Sequence, residues 1–129
     1  GEMDEFVASQ KGVEAMQSYL ASFEKCRGRL AEATATVLAR SSDDPNEIGA
    51  ASYSYMELMG LVLYCFMWQR ILSAAFTDQN SGSTDADYTD ALVKTGEFFM
   101  RRLLPRADSL LAEISSGAES LMTMRAEQF

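Results

Sequence analysis

The sequence contains no histidine. Histidine is the commonest general base at neutral pH, the commonest metal ligand, and the base of Ser-His and Cys-His dyads. Its absence nearly excludes classical hydrolase chemistry. Cysteine is also scarce: Cys26 and Cys65 are the only two, and they are too far apart for a CxxC motif. This usage fits reduced thiols in a cytoplasm better than a disulfide scaffold, and we interpret both as small core residues.

Positive charge is in short supply as well. The chain has 11 Lys and Arg against 19 Asp and Glu, which gives a net charge of −8. This charge would repel a polyphosphate backbone, so nucleic acid is not an expected partner. The N-terminal GEMDEF is acidic and lacks the apolar core of a signal peptide. We therefore expect no export and a cytoplasmic location.

One long apolar run stands out, LMGLVLYCFMW at residues 58–68. A helix of eleven residues is about 16 Å long, roughly half the ~30 Å hydrocarbon thickness of a bilayer, so the run does not predict a membrane span. A helical stretch that is apolar on all sides either lies at the centre of a bundle or has one face in the core and the other against a second protein surface. The sequence leaves both interpretations open.

The chain has only two prolines, and its sparse β-branched residues do not alternate with polar ones. This composition predicts an all-α fold. We expect a single domain over residues 1–129, an antiparallel up-and-down bundle resembling a four-helix bundle. Its three long helices are expected at about 12–40, 45–76 and 85–116, with short helices at the termini. The first long helix carries an uninterrupted apolar seam formed by Met16, Tyr19, Phe23, Cys26, Leu30, Ala33 and Val37.

Two polar segments mark the boundaries of the second long helix. In SSDDPNE, Asp44 is expected to cap the backbone amides, Pro45 fits the first helical position, and Glu47 stands where a capping box needs its acid. The polar segment TDQNSGSTDAD, residues 77–87, predicts a loop after that helix.

Pro105 lies inside the third predicted helix. Its ring removes one backbone hydrogen bond and crowds the carbonyl of Arg101, which predicts a kink between Arg101 and Pro105. Gly117 is expected to end this helix, and AESLMTM is expected to form a short final helix. The predicted core seam of the third helix consists of Tyr88, Leu92, Thr95, Phe99, Leu103, Ala107, Leu110 and Ile114.

Two patterns suggest a chemical site, and each has a simpler interpretation. Asp78 and Asn80 alternate like the first ligands of a calcium loop, but Gly82 stands where the next oxygen ligand is needed. Glu57 precedes the apolar run, and burial would raise its pKa towards that of a general base. We expect instead a solvated loop and an ion-paired or solvent-facing glutamate. The sequence therefore predicts no catalytic, cofactor-binding or metal-ligating residue in this chain.

Aromatic and methionine side chains are plentiful in the second and third helices. Such residues at helical spacing usually form core, although they also suit a ligand cavity. Together the two helices carry more apolar surface than a three-helix core hides, which favours a docking face. The candidate docking surface consists of Tyr64, Trp68, Phe98, Arg101 and Arg102. The two arginines either pair with carboxylates on a neighbour or are ordinary exposed residues.

Two stretches, residues 44–70 and 96–129, resemble a known family. They are similar to the extra C-terminal helical domain of one branch of the FAD-dependent acyl-CoA dehydrogenases, the branch that includes methylthiopropanoyl-CoA dehydrogenases. The motifs that carry the resemblance most specifically are FFMRRLLP at 98–105 and GAESLM at 117–122.

The resemblance implies a non-catalytic accessory domain, a C-terminal fragment of a larger flavoenzyme. In that family the FAD, the acyl-CoA and the catalytic glutamate belong to upstream domains, and the parent enzyme oxidises acyl-CoA to 2-enoyl-CoA. The implied partners are those dehydrogenase domains and a second subunit of a homo-oligomer. Two alternatives from other classes stay open: a free-standing helical interaction module, and a bundle that binds an acyl chain or lipid between the second and third helices.

Overall fold

A computed structural model describes residues 1–82 and 85–129. Within these residues the protein is all-α with no strand, which confirms the predicted fold class. The elements, in chain order, are helix α1 (Glu2–Gln10), a 3₁₀ turn (Glu14–Met16), α2 (Gln17–Ser41), α3 (Asn46–Ser81), α4 (Ala86–Phe98), a π-helix (Phe99–Leu103), α5 (Arg106–Ser115), α6 (Glu119–Met122) and a terminal 3₁₀ turn (Ala126–Gln128).

The core lies between α2, α3 and α5. The seam predicted on the first long helix is confirmed, because every member is buried or packs, half-buried, against the core. Phe23 is fully buried and stacks on Phe66 with ring centroids 5.7 Å apart. Burying such a side chain contributes about 2 kcal/mol to stability. From α3 the core receives Ala51, Leu58, Leu61, Val62, Cys65, Phe66, Leu72 and Ala75.

Helix α1 lies across the α2–α3 groove. The sequence predicts a short helix at the N-terminus, and the structure places it at Glu2–Gln10. Phe6 packs edge-on against Phe66 at 5.7 Å, while Asp4 pairs with Arg27 of α2. The hydrogen bond from Arg27 lowers the pKa of the exposed Asp4 carboxyl.

The first long helix begins later than predicted. Val13 has an extended backbone, and a 3₁₀ turn precedes the first α-helical residue at Gln17. The side-chain amide of Gln17 donates to the carbonyls of Gln10 and Val13, 3.1 and 2.8 Å away. These bonds satisfy carbonyls that the end of α1 leaves without a helical partner.

The start of α3 is partly as predicted. Asp44 caps it, because its Oδ1 accepts a hydrogen bond from the backbone N–H of Asn46 at 2.9 Å. The predicted capping box with Glu47 is wrong. The Glu47 carboxylate instead accepts the backbone N–H of buried Ala118 at 3.1 Å, because the chain folds back after α5. That turn follows Gly117, which ends α5 with φ +80° as its sequence position predicts.

The end of α3 corrects the predicted loop at 77–87. The helix continues through residues 77–81 and ends at Gly82, which adopts φ +66° and donates its N–H to the carbonyl of Asp78 at 3.1 Å. Polar side chains are compatible with an exposed last turn, and the left-handed glycine is the real stop signal. Asp78 and Asn80 are therefore helical rather than part of a loop, and residues 83–84 of the predicted loop lie outside the described residues.

The third predicted helix is interrupted by the π-helix, which confirms the kink. The N–H of Leu104 bonds to the carbonyl of Phe99 at 3.0 Å, five residues back instead of four. This extra residue shifts the core seam, so Leu104 is buried and Leu103 is 40% exposed. The prediction that Leu103 and Tyr88 belong to the core is wrong. Tyr88 is 60% exposed, and Thr89 is buried in its place.

The π-helical register predicts different costs for two adjacent leucines. We expect Leu104→Ala to lower the free energy of unfolding by about 2–4 kcal/mol, because it leaves a cavity in the core. Leu103→Ala is expected to cost less than about 1 kcal/mol, because Leu103 is partly solvated already. Urea unfolding followed by circular dichroism measures both. Equal costs for the two substitutions, or a larger cost at Leu103, would contradict the π-helical register and favour an uninterrupted α-helix.

Helix α4 packs closely against α3 at Gly96. A Cβ added there would lie 2.9 Å from Cδ2 of Leu72, which is fully buried. We expect Gly96→Ala to destabilise the protein by about 1–3 kcal/mol through overpacking. Gly28→Ala is the matched control, because a Cβ at that helical position meets nothing within 4 Å. The control should stabilise the protein by up to about 1 kcal/mol, and the same sign for both variants would contradict the close approach.

Candidate docking surface

Helix α3 buries one face and exposes another that is equally apolar. The exposed large side chains recur every three or four residues on the side opposite the core, and between 37% and 66% of each residue is accessible. We call this surface the outer stripe. It consists of Tyr53, Met56, Met59, Leu63, Tyr64, Met67 and Ile71.

The outer stripe carries no charge. Between Gly49 and Gln69 the only charged residue is Glu57. Glu57 lies at the edge of the stripe and pairs with Arg106 of α5 at 3.4 Å. At the far end of the stripe, Arg70 pairs with Glu2 of α1 at 3.0 Å. Both flanking charges are thus neutralised within the chain.

Shallow grooves flank the stripe on both sides. On the α5 side a notch of about 190 Å³ is lined by Gly60, Leu61, Tyr64 and Leu110, together with the ion-paired Glu57 and Arg106. On the α1 side a depression of about 490 Å³ is lined by apolar side chains that include Leu63, and by the charged residues Glu2, Asp4, Arg27 and Arg70. The stripe forms a ridge between two grooves. This shape suits ridges-into-grooves packing with a second helix.

An apolar helix of this length also raises the question of a membrane. Within the described residues, α3 is long and apolar enough to cross a bilayer, with a mean hydropathy of 1.4 over its best 18 residues. However, 44% of that window is buried inside the protein. Because core helices commonly meet the same criterion, it is a weak indication of a span.

Two of the predicted docking residues lie on α3. Tyr64 belongs to the outer stripe and lines the notch beside Gly60. Trp68 lies further towards the core, half-buried, and stacks on Phe99 with ring centroids 6.4 Å apart. It therefore ties α3 to the π-helix and offers little of its ring to a partner.

The other three lie at the junction of α4 and the π-helix. Phe98, Arg101 and Arg102 are all exposed, and Arg101 of the π-helix pairs with Glu97 of α4 at 3.7 Å. No ring contact, hydrogen bond or ion pair within residues 1–82 and 85–129 links these three to Tyr64. The predicted surface thus has two parts, the outer stripe and the surface around Phe98.

Most of the outer stripe was missed by the sequence analysis. The predicted docking residues include only Tyr64 of the stripe and omit Tyr53, Met56, Met59, Leu63, Met67 and Ile71. Their spacing of three and four residues indicates that they share one face of the helix. Because the opposite face is just as apolar, the spacing does not show which of the two faces is exposed.

Glu57 lines the notch beside Gly60 and is held there by hydrogen bonds. Its two carboxylate oxygens accept bonds from the hydroxyl of Tyr53 at 3.1 Å and from Arg106 at 3.4 Å. The hydrogen bond to Glu57 raises the pKa of the Tyr53 hydroxyl. The expectation of an ion-paired glutamate is confirmed.

The two thiols are free, buried and protonated. Burial raises the pKa of Cys26 to about 11 and that of Cys65 to about 12. Cys65 approaches the sulfur of Met100 at 3.7 Å, beside the π-helix. A thiol with so high a pKa is a poor nucleophile at neutral pH. The interpretation of both cysteines as core residues is confirmed.

These raised pKa values predict an alkaline loss of stability. Unfolded thiols titrate near pH 9.0, whereas Cys26 and Cys65 stay protonated in the folded protein to about pH 11 and 12. The unfolded state therefore releases protons first, and the free energy of unfolding falls above pH 9. The slope approaches about 1.4 kcal/mol per pH unit for each thiol. Urea unfolding between pH 7 and 10 measures it, and Cys65→Ala should reduce the slope. An unchanged slope in that variant would contradict the assignment.

Within residues 1–82 and 85–129, no group of three Cys, Asp or Glu side chains is arranged to hold a metal ion.

Comparison with known proteins identifies a family for this chain. Comparison with curated proteins gives no significant match. The family model described as acetyl-CoA dehydrogenase C-terminal like matches residues 1–125, nearly the whole chain. The chain therefore belongs to the family of acetyl-CoA dehydrogenase C-terminal-like domains.

Proposed function

We propose that this chain is the non-catalytic C-terminal accessory domain of an FAD-dependent acyl-CoA dehydrogenase, from the branch that includes methylthiopropanoyl-CoA dehydrogenases. Its proposed role is to provide a docking surface for the other domains of that enzyme. The observation that carries the proposal is the apolar surface that the core leaves uncovered, on the outer stripe and around Phe98. Membership of the family supports the proposal that the parent protein is a dehydrogenase of this kind.

Within the described residues, the depressions beside α3 do not suit a flavin. The depressions beside α3 are shallow and mostly apolar, and the two cations beside the larger one, Arg27 and Arg70, are already paired with Asp4 and Glu2. No side chain there is placed to bind the diphosphate of a dinucleotide. The flavin and the oxidation of the acyl-CoA are therefore assigned to the upstream domains.

The surface around Phe98 suits the dehydrogenase domains. It combines an exposed aromatic ring with the exposed Leu103 and with two arginines, on a chain whose net charge is −8. Arg102 makes no ion pair within the described residues, so it is available to a carboxylate on a neighbour. Burying several hundred Å² of apolar surface contributes several kcal/mol at ~25 cal/mol/Å², before association costs are subtracted.

The proposal is tested by reconstitution from two purified parts, this chain and the flavin-binding dehydrogenase domains of the parent enzyme. We expect them to form a complex in size-exclusion chromatography. Flavin absorbance and acyl-CoA oxidation should stay with the dehydrogenase part. Phe98→Glu should weaken the complex at least tenfold, because it places a charge in an apolar contact.

Tyr88→Glu is the matched control, because Tyr88 is also on α4 and similarly exposed. It should leave the affinity within about twofold. Absence of a complex, or equal effects of the two substitutions, would refute docking through this surface. Acyl-CoA oxidation by this chain alone would refute the accessory role. A co-purified lipid found by native mass spectrometry would favour the acyl-binding alternative instead.

A further inference from the structure

Gly60 lies at the middle of the outer stripe, and among the open helical glycines Gly28, Gly49 and Gly60 it is the one that this stripe surrounds. A glycine in a helix interior costs about 1 kcal/mol relative to alanine. At Gly96 this cost is offset by the close packing of Leu72, but a Cβ at Gly60 would meet nothing within 4 Å. A bare backbone on an exposed apolar stripe lets a second helix approach closely.

The charge distribution around the stripe suits a second copy of the same chain. When two helices pack antiparallel about a twofold axis, each edge of the interface meets the same edge of the other copy. An uncompensated charge at such an edge would therefore lie near the same charge of the other copy and repel it. This matters for a chain whose net charge is −8. The outer stripe has no charge, and Glu57 and Arg70 at its margins are already paired. It is a surface that meets itself without Coulomb repulsion.

The size of the stripe also matches a dimer. Seven large apolar residues, each between 37% and 66% exposed, form it. Side chains of this kind exposed to this extent present on the order of 700 Å² per copy, or about 1,400 Å² for two, within the ~1,200–2,000 Å² of specific stable interfaces. A patch this large is also more than most monomers leave uncovered.

We propose that two copies of this chain associate through the outer stripe, with their α3 helices antiparallel and crossing at Gly60. The proposal rests on the proposed function, because it takes the stripe to be a docking surface, and it names the occupant. Tyr64 lies about 6 Å along the helix from the crossing. The twofold axis therefore places Tyr64 of each copy over the turn from Met56 to Gly60 of the other, beside the notch of about 190 Å³.

Sedimentation velocity on the 129-residue chain tests the association. We expect a dimer for the natural sequence and a monomer for Gly60→Leu, because the added side chain holds the helices apart. Gly28→Leu is the matched control, since Gly28 is also an open helical glycine but lies on α2. It should remain a dimer. Circular dichroism confirms that both variants are folded, and Leu63→Glu provides a second way to disrupt the stripe.

Disulfide cross-linking tests the orientation. Gly60→Cys lies at the crossing and should form a covalent dimer under mild oxidation, whereas Gly28→Cys should not. The native thiols do not interfere because both are buried. Tyr53 and Met67 lie seven residues on either side of Gly60, so mixed Tyr53→Cys and Met67→Cys chains should cross-link to each other more than to themselves.

If the chain is still a monomer at about 100 µM, its dimer dissociation constant lies above about 100 µM. That result would overturn the proposal. So would a dimer that Gly60→Leu and Leu63→Glu leave intact, or a monomer that binds phosphatidylcholine vesicles through the stripe. These measurements use the chain without the dehydrogenase domains. A monomer that still binds those domains refutes only the self-association, whereas a dimer that fails to bind them refutes only the proposed function.

Discussion

The structure depends on one constraint: the middle of α3, residues 58–68, is apolar around its whole circumference, and a three-helix core covers only one side of it. Leu58, Leu61 and Cys65 face α2 and α5, and this burial holds the bundle together. Met56, Leu63 and Met67 remain exposed, because no element within residues 1–82 and 85–129 covers them fully. The core contacts and the candidate docking surface thus lie on opposite faces of one helix.

The polar groups of the chain serve the fold. Asp108 of α5 accepts a bond from Arg29 of α2 at 2.7 Å, and that bond lowers the pKa of its carboxyl. The carboxylate of Glu47 holds the turn after α5. Glu57, a general base only if it were free, is held by Tyr53 and Arg106. These three carboxylates are hydrogen-bonded within the chain, and both thiols are protonated. What the outer face of α3 presents to a partner is therefore mainly apolar side chains. This is compatible with the family to which the chain belongs.

The candidate site was only partly predictable. The surplus of apolar surface, Tyr64, and the exposed Phe98 with its arginines could be read from composition and spacing. The outer stripe itself could not be read, because periodicity identifies a buried face only when the other face is polar. Trp68 shows the converse case. It has the composition of a docking residue, but its stacking on Phe99 turns it towards the core.

The sequence by itself determined the helical class, the seam of α2, the cap at Asp44, the stop at Gly117 and the kink before Pro105. These are local effects of propensity, capping and missing backbone donors, and they act over a few residues. The tertiary structure alone decided which face of α3 is covered, where the π-helix shifts the seam from Leu103 to Leu104, and that Glu47 reaches Ala118. Each of these depends on what packs from a distant part of the chain, so no local pattern contains it.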